Sequence, residues 1–279
     1  MMSIFLRLRH SIYLKLRTLP VGRSLVRIAV DIQGGRVKRG IRKAMRDYGL
    51  RACDAVYSAL SARKIPYWAD HGTLLGIVRE NGFIKNDLDI DFSVPPQVRL
   101  CDVYGALEKQ GFALERGFAY QGEIVEITVS YKGVGIDFFK CHPIDTRMGN
   151  FVFVSQQDPE TWRVVSVMAH ERVRPQVEGL KEVCFGGTVE KARTFIPVNA
   201  EKILEAEYGD WRTPDSKTDF CGKNVPSHYQ EVYDGCLFLD GDEVCSLFKR
   251  GNGDYLTLAE PVDMQKSEMN SSNETADQY

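Results

Sequence analysis

Two aspartates, Asp89 and Asp91, stand two positions apart in a short apolar run that predicts a β-strand. Side chains at positions i and i+2 of a strand lie on the same face of the sheet. Two neighbouring carboxylates repel each other unless a cation joins them, and Mg²⁺ or Mn²⁺ accepts such oxygen ligands together with phosphate oxygens. A surface pair explains the pattern less well, because aspartate is disfavoured in strands. The spacing therefore predicts a divalent-cation site for a phosphate-bearing substrate.

A third acid, Asp137, lies in the middle of another predicted strand, between Ile136 and Phe138. A carboxylate among apolar neighbours is unfavourable unless it is paired or binds a metal ion. On a strand next to that of Asp89 and Asp91, Asp137 would complete a carboxylate triad. We expect it to serve as a metal ligand and to help deprotonate an attacking hydroxyl group.

Gly72 and Thr73 lie between a predicted strand and a predicted helix. A glycine lets the backbone approach a phosphate closely, and a helix N-terminus offers unpaired N–H groups. The same pair also fits an ordinary helix cap, so both interpretations remain open. Arg79, six residues after Thr73, either contacts a phosphate or braces a buried carboxylate such as Asp87.

Three further side chains have two interpretations each. His71 adjoins the Gly-Thr turn and either acts on the acceptor or makes structural hydrogen bonds. Tyr208 and Trp211 either stack on a nucleotide base or belong to the core or its rim.

Hydrophobic periodicity predicts mixed helices and strands, and hence an α+β fold. The predicted helices are 37–64, 73–81, 98–110 and 200–208, and the predicted strands are 67–69, 88–94, 124–131, 134–140 and 151–154. A hairpin turn at Lys132-Gly133 joins the third and fourth strands.

The charges predict three regions. Residues 1–46 carry about 12 Lys and Arg and one acid, Asp31, and form a basic, partly amphipathic, helical N-terminal arm. Residues 47–262 form an acidic catalytic domain, and the Ser- and Asn-rich residues 263–279 form a disordered tail. The arm either contacts an anionic membrane surface or packs as a solvated helix. No nucleic-acid partner is expected, because the rest of the chain is acidic.

The seven cysteines have irregular spacing and no C-x-x-C pair, which argues against a disulfide framework and a zinc finger. No apolar run is long enough to span a membrane, and the N-terminus does not resemble a secretion signal. We therefore expect a cytoplasmic protein, either free or peripheral on the inner face of the membrane.

Taken together, the site residues resemble the LicD family, which includes bacterial phosphocholine transferases and the fukutin-related proteins. The family run G-T-L-L-G-A-V-R is matched by Gly72 to Arg79, and the following G-F-I and D-x-D-I-D pattern by Gly82 to Ile84 and by Asp87 to Asp91. A second block, Tyr208-Gly209-Asp210-Trp211, resembles the family's Tyr-Gly-Asp ending. The chain departs from the family pattern at Lys85, Asn86 and Leu88.

The resemblance implies a nucleotidyltransferase-type mixed sheet and transfer of a phospho-alcohol from a CDP-alcohol donor to a glycan or lipid-linked glycan. With the residue patterns above, the predicted site has Asp89, Asp91 and Asp137 as catalytic and metal-binding residues with Mg²⁺ or Mn²⁺. Its predicted substrate-binding residues are Gly72, Thr73, Arg79 and Tyr208. Two alternatives stay open: a small-molecule nucleotidyltransferase that transfers NMP, and an inactive glycan-binding or scaffold protein of the same fold.

Overall fold

A computed structural model describes residues 22–85, 87–157, 164–214, 229–232, 234–251 and 253–256. The helices of this part of the chain are α1 (Gly22–Ala62), α2 (His71–Glu80), α3 (Leu100–Leu107), α4 (Ala200–Tyr208) and α5 (Gly241–Lys249), and a 3₁₀ turn (Glu108–Gln110) follows α3. The strands are β1 (Trp68–Ala69), β2 (Asp89–Val94), β3 (Ala113–Tyr120), β4 (Glu123–Tyr131), β5 (Val134–Lys140), β6 (His142–Ile144), β7 (Arg147–Gln157), β8 (Val164–Pro175), β9 (Leu180–Gly186), β10 (Lys191–Pro197), β11 (Tyr229–Val232) and β12 (Cys236–Asp240).

The largest sheet has six strands in the order β1-β2-β5-β4-β3-β12. Strands β2 and β5 run parallel, and the other pairs in this sheet are antiparallel. The mixed sheet with its flanking helices confirms the predicted α+β class. The hairpin predicted around Lys132-Gly133 is also present, as β4 and β5.

The two faces of the large sheet differ in polarity because side chains alternate along each strand. One face is apolar and fully buried against the helices, and it includes Ile90, Phe92, Ile127, Ile136 and Phe138. The opposite face carries the acids of the predicted site. The alternation therefore places Asp89, Asp91 and Asp137 on the face away from the main core.

Helix α1 is longer than the predicted segment 37–64, because it extends toward the N-terminus to Gly22. Its C-terminal half is anchored by Met45, Cys53, Val56 and Leu60, which are buried at helical spacing. A helix that has been nucleated by packing propagates readily into neighbouring residues. Residues 35–40 are exposed on all sides. In the described ranges, no helix is both long and apolar enough to cross a membrane.

Two smaller sheets complete the described structure. Strands β11, β8, β7 and β6 form a four-stranded antiparallel sheet, and β9 and β10 form a hairpin. The predicted strand 151–154 is the middle of the longer β7. The predicted tail, residues 263–279, lies outside the described residues.

Gly76 of α2 allows a close approach between the helix and the chain that follows it. A Cβ atom at this position would lie 2.5 Å from the carbonyl oxygen of Gly82. Only a glycine lets the chain that leaves α2 turn back across the helix at this distance. This turn delivers the backbone to β2, where the site begins.

Candidate active site

Strand register brings the three predicted carboxylates together. In the parallel pair of β2 and β5, Asp91 is the direct partner of Asp137, and Asp89 precedes Asp91 by two residues on the same face. Ligand oxygens of Asp89, Asp91 and Asp137 all lie within 4.8 Å of one another. Asp91 and Asp137 are buried, whereas Asp89 is partly exposed, so the cluster opens to solvent at Asp89.

Burial raises the pKa values of the clustered carboxylates, and neighbouring negative charges add to the rise for Asp89 and Asp91. Burial, and then the charge of Asp137, raise the pKa of Asp89 to about 6. Burial and the charge of Asp89 raise the pKa of Asp91 well above its usual range, and burial also raises the pKa of Asp137. The neighbouring Asp87 follows the same pattern, since burial and Asp89 raise its pKa to about 7. The cluster therefore carries an unfavourable concentration of negative charge.

A divalent cation fits this group of side chains. The donors are carboxylate oxygens, which Mg²⁺ and Mn²⁺ prefer, and their separation allows one ion to contact all three. The Arg116 guanidinium approaches Asp137 Oδ1 only to 4.0 Å and is half-exposed, so it neutralises the cluster incompletely. One oxygen of Asp87, Oδ2, is buried without a hydrogen-bond partner among the described residues. A bound cation would neutralise the negative charge that these groups leave uncompensated.

Gly72 and Thr73 lie in the first turn of α2, directly beside the carboxylates. A Cβ at Gly72 would lie 3.5 Å from Asp87 Oδ2 and 3.8 Å from Asp91 Oδ2. Thr73 is fully buried, and its Oγ1 accepts a hydrogen bond of 2.9 Å from the backbone N–H of Asp91. Glycine thus keeps the space next to the cluster open, while Thr73 fixes the strand that carries Asp91.

The cap of α2 is Asp70 rather than Thr73. Asp70 accepts a hydrogen bond from the backbone N–H of His71 at 3.0 Å, which satisfies one of the free donors of the helix N-terminus. The side chain of Asp70 is fully buried and is paired with Arg174 of β8. Ser93 Oγ also donates a short hydrogen bond to the Asp70 carboxylate. These contacts anchor the start of α2 to the second sheet.

His71 is fully buried, with Nδ1 2.6 Å from Glu207 Oε1 of α4. Arg172 of β8 lies against the same pair, with its NH1 2.6 Å from Glu207 Oε1. This geometry gives His71 the structural role considered in the sequence, because its ring has no exposed surface with which to contact an acceptor.

The group of Asp70, His71 and Glu207 also has ligand atoms within 4.8 Å of one another. A metal ion fits this second group poorly, because Arg172 and Arg174 already pair with its two carboxylates. Burial disfavours the charged form of Glu207, but His71 and the two arginines outweigh burial and lower its pKa. The group is a charge-compensated network that supports α2.

Arg79 does not pair with Asp87, the carboxylate considered in the sequence. Its Nη1 donates to the backbone oxygen of Trp211 at 3.2 Å, and its Nη2 lies 2.7 Å from Glu80 Oε1. Trp211 is buried, and Tyr208 is partly buried against the main core. Burial and the charge of Glu207 raise the pKa of Tyr208 well above its usual range. The hydrogen bond from Arg79 to Trp211 joins α2 to the segment that follows α4.

Sequence reasoning missed several residues that complete the site. They are Asp70, Arg116, Glu126, Thr128, Asn150, Arg172, Arg174 and Glu207. Glu126 is buried on β4, and its Oε2 has no hydrogen-bond partner in the described part of the chain. Thr128 Oγ1 donates a short hydrogen bond to Asp137 Oδ1. The available signal was in β4, where Glu126 and Thr128 stand at alternate positions of an otherwise apolar strand.

Comparison with protein-family models finds a match to the family that the motifs resemble. Residues 64–181 match the nucleotidyltransferase domain described as LicD/FKTN/FKRP. This span holds Gly72, Thr73 and all three clustered carboxylates, and it ends before α4. No curated protein matches the chain. The match identifies a nucleotidyltransferase-type domain, and thus a transferase in the broad sense.

Proposed function

We propose that this protein is a metal-dependent phosphotransferase that moves a phospho-alcohol from a CDP-activated donor to a glycan hydroxyl, in the modification of cell-surface polysaccharide or glycoconjugate. The observation that carries the proposal is the convergence of Asp89, Asp91 and Asp137 within 4.8 Å, inside the span that matches the LicD family model. Clustered carboxylates beside a helix N-terminus suit a substrate that carries several phosphate charges.

The reaction balances as a displacement at phosphorus. The oxygen of the glycan hydroxyl forms a bond to the phosphorus that bears the alcohol, and the bond from that phosphorus to the bridging oxygen of the diphosphate breaks. CMP leaves with the electron pair, and the hydroxyl proton passes to a carboxylate or to solvent. A divalent cation held by Asp89, Asp91 and Asp137 would neutralise the charge that develops on the phosphate oxygens.

The protein's own residues prepare the place where this happens. Thr73 holds the backbone of Asp91, and Thr128 holds Oδ1 of Asp137, so the strand position of one carboxylate and the direction of the other are fixed. Gly72 leaves open the space between the N-terminus of α2 and the carboxylates. Positioning of this kind is the main contribution of a protein to phosphoryl transfer.

Donor cleavage tests the proposal. The protein should release CMP from one of a panel of CDP-choline, CDP-ribitol and CDP-glycerol when Mg²⁺ or Mn²⁺ is present. Asp91→Asn should abolish release, whereas Arg193→Gln, on the exposed side of β10, should not change it. Release of pyrophosphate from a nucleoside triphosphate would instead identify an NMP-transferring enzyme. A wild-type protein that binds glycans and cleaves neither kind of donor would be a binding protein of the same fold.

The basic end of α1 supports a second part of the proposal, which is attachment to an anionic membrane surface near a lipid-linked acceptor. Residues 35–40 are exposed and include Arg36, Lys38 and Arg39. Each basic side chain near such a surface contributes about 1 kcal/mol, reduced by salt. The acidic domain would then face away from the membrane.

A further inference from the structure

Arg116 stands at the mouth of the carboxylate cluster, in line with its members across four strands. Arg116 of β3 is the register partner of Thr128 of β4, Thr128 is the partner of Asp137 of β5, and Asp137 is the partner of Asp91 of β2. Laterally paired residues of a sheet point to the same face. The row therefore runs from the buried carboxylates outward to an arginine.

A β-bulge puts the arginine in this row. The register of β3 against β4 shifts between Leu114 and Arg116, so Glu115 is the extra residue. With regular pairing, Glu115 would be opposite Thr128, and a further carboxylate would stand beside Asp137. The bulge replaces it with Arg116. Bulges commonly redirect a side chain next to an active site.

The contacts of Arg116 fix the position of its side chain but give its guanidinium charge no close carboxylate partner. Nε donates to Thr128 Oγ1 at 3.0 Å, and the guanidinium lies 5.8 Å from the centre of the Phe118 ring. The distance from Nη2 to Asp137 Oδ1 is 4.0 Å, much longer than the two short parallel hydrogen bonds of a bidentate arginine–carboxylate pair. Asp137 Oδ1 instead accepts its short hydrogen bond from Thr128 Oγ1.

The exposure and the electrostatic effect of Arg116 agree with this arrangement. Its side chain is 45 % exposed, while that of Asp137 is 10 % exposed. Burial raises the pKa values of Asp89, Asp137 and Glu126, and the charge of Arg116 opposes the rise in each of them. One half-exposed cation thus faces several carboxylates and pairs closely with none of them.

We propose that Arg116 is a substrate-binding residue that contacts the phosphate oxygens of a nucleoside diphosphate-type donor at the open side of the carboxylate cluster. This inference rests on the proposed function for the class of donor. An arginine suits the task because its planar fork matches two phosphate oxygens. The carboxylates alone would repel a diphosphate, so the arginine supplies positive charge on the side where the ligand enters.

Binding of CDP and of inorganic pyrophosphate, measured by titration calorimetry with Mn²⁺ present, tests the inference. Arg116→Gln should weaken both probes about 10- to 100-fold, which corresponds to the loss of a charge-assisted pair. Arg116→Lys should fall between Arg116→Gln and wild type, because it keeps the charge and loses the fork. The matched control is Arg193→Gln, whose side chain is also 45 % exposed but pairs with Asp54 of α1; it should bind like wild type.

A titration with Mn²⁺ alone distinguishes two roles of Arg116: contact with a phosphate, and neutralisation of the carboxylates. In Arg116→Gln the affinity for Mn²⁺ should be unchanged or higher, because a competing positive charge is gone. Three outcomes would overturn the inference. Arg116→Gln could bind both probes as wild type does, it could lose Mn²⁺ binding, or the wild type could bind neither probe. If wild type binds pyrophosphate through Arg116 but releases no CMP from CDP-alcohols, the proposed function fails and the role of Arg116 stands.

Discussion

Nδ1 of His71 lies 2.6 Å from Oε1 of Glu207, although the two residues are 136 positions apart in the chain. The contact joins the first turn of α2, inside the matched span 64–181, to α4, outside it. Arg172 and Arg174 of β8 pair with the same carboxylate group. Support for the candidate site therefore comes from three elements, of which only two lie within the family match.

Glu207→Gln should destabilise the protein strongly. The change leaves Arg172 and Arg174 buried with one fewer negative partner, and breaking a buried ion pair in this way costs about 3–5 kcal/mol. Urea unfolding of wild type and variant gives the difference. Glu201→Gln is the control on the same helix, because its partner Arg212 and Glu201 itself are both exposed, and such pairs contribute little. Equal midpoints for the two variants would contradict a supporting role for Glu207.

The stability of the metal-free protein should fall as pH rises from about 4 to about 8. Folded-state pKa values of about 6 for Asp89 and about 7 for Asp87 exceed the ordinary aspartate value of about 3.9, so folding favours the protonated forms. This contribution is complete below the ordinary value and is lost as pH rises through the raised values. Thermal unfolding in EDTA measures it.

Mn²⁺ should raise the melting temperature more at pH 8 than at pH 5, because protons compete with the ion for the carboxylates. Asp91→Asn should make the metal-free protein less sensitive to pH while keeping its fold, since one of the repelling charges is removed. The same increase at both pH values would argue that the ion binds elsewhere.

Thr128→Val should weaken cation binding while leaving the sheet intact. The variant has nearly the same shape but cannot donate to Asp137 or accept from Arg116. Loss of a side chain that orients a ligand typically reduces metal affinity about 10- to 100-fold. Calorimetry with Mn²⁺ provides the measurement. Ser130→Ala is the control on the same strand, because its hydroxyl contacts the exposed Glu115 instead. Full affinity in Thr128→Val would show that Asp137 needs no such support.

Asp254→Asn should destabilise the protein through two contacts at once. The carboxylate of Asp254 accepts hydrogen bonds from the backbone N–H groups of Leu100 and Cys101 at the start of α3, and it pairs with Lys140 at 3.2 Å. Asparagine has one acceptor oxygen instead of two, so it loses one of the two backbone hydrogen bonds, and it also loses the charge that pairs with Lys140. Asp240→Asn, at the exposed cap of α5, is the control, because asparagine can still cap the helix and no buried ion pair is lost. Chemical unfolding should therefore show the larger loss for Asp254→Asn.

The basic arm should bind anionic vesicles at low salt and leave them at high salt. A chain that begins at Val37 lacks most of the basic residues of the arm, so it should bind the vesicles much more weakly, yet it should keep donor cleavage. Sedimentation with phosphatidylserine-containing vesicles compares the two proteins. If both ignore the vesicles equally, the arm has another partner or a structural role.

The central pair of acids could be predicted because strand periodicity is a local property. Asp89 and Asp91 share a face by spacing alone, and an isolated acid in an apolar strand identified Asp137. Arg116 could not be placed, since the bulge at Glu115 reverses the alternation of β3. No local pattern predicts such a shift.

The second sheet was missed for a different reason. Along β8 the inward positions hold His170, Arg172 and Arg174, which are buried. A strand with charged side chains on both faces lacks the alternation of apolar and polar residues that marks a half-buried strand. Ion pairs with Asp70 and Glu207 stabilise these buried arginines. Both acids are distant in sequence, so residue spacing could not predict the pairs.

The order of synthesis determines when the contact between α2 and α4 can form. A growing chain presents Asp70 and His71 first, then Arg172 and Arg174 about a hundred residues later, and Glu207 last. Until residue 207 has left the ribosome, the two arginines exceed their acidic partners and the start of α2 lacks one of its braces. Long-range contacts of this kind form slowly. The carboxylate cluster should therefore reach its final geometry only late, after translation has passed the end of the family domain.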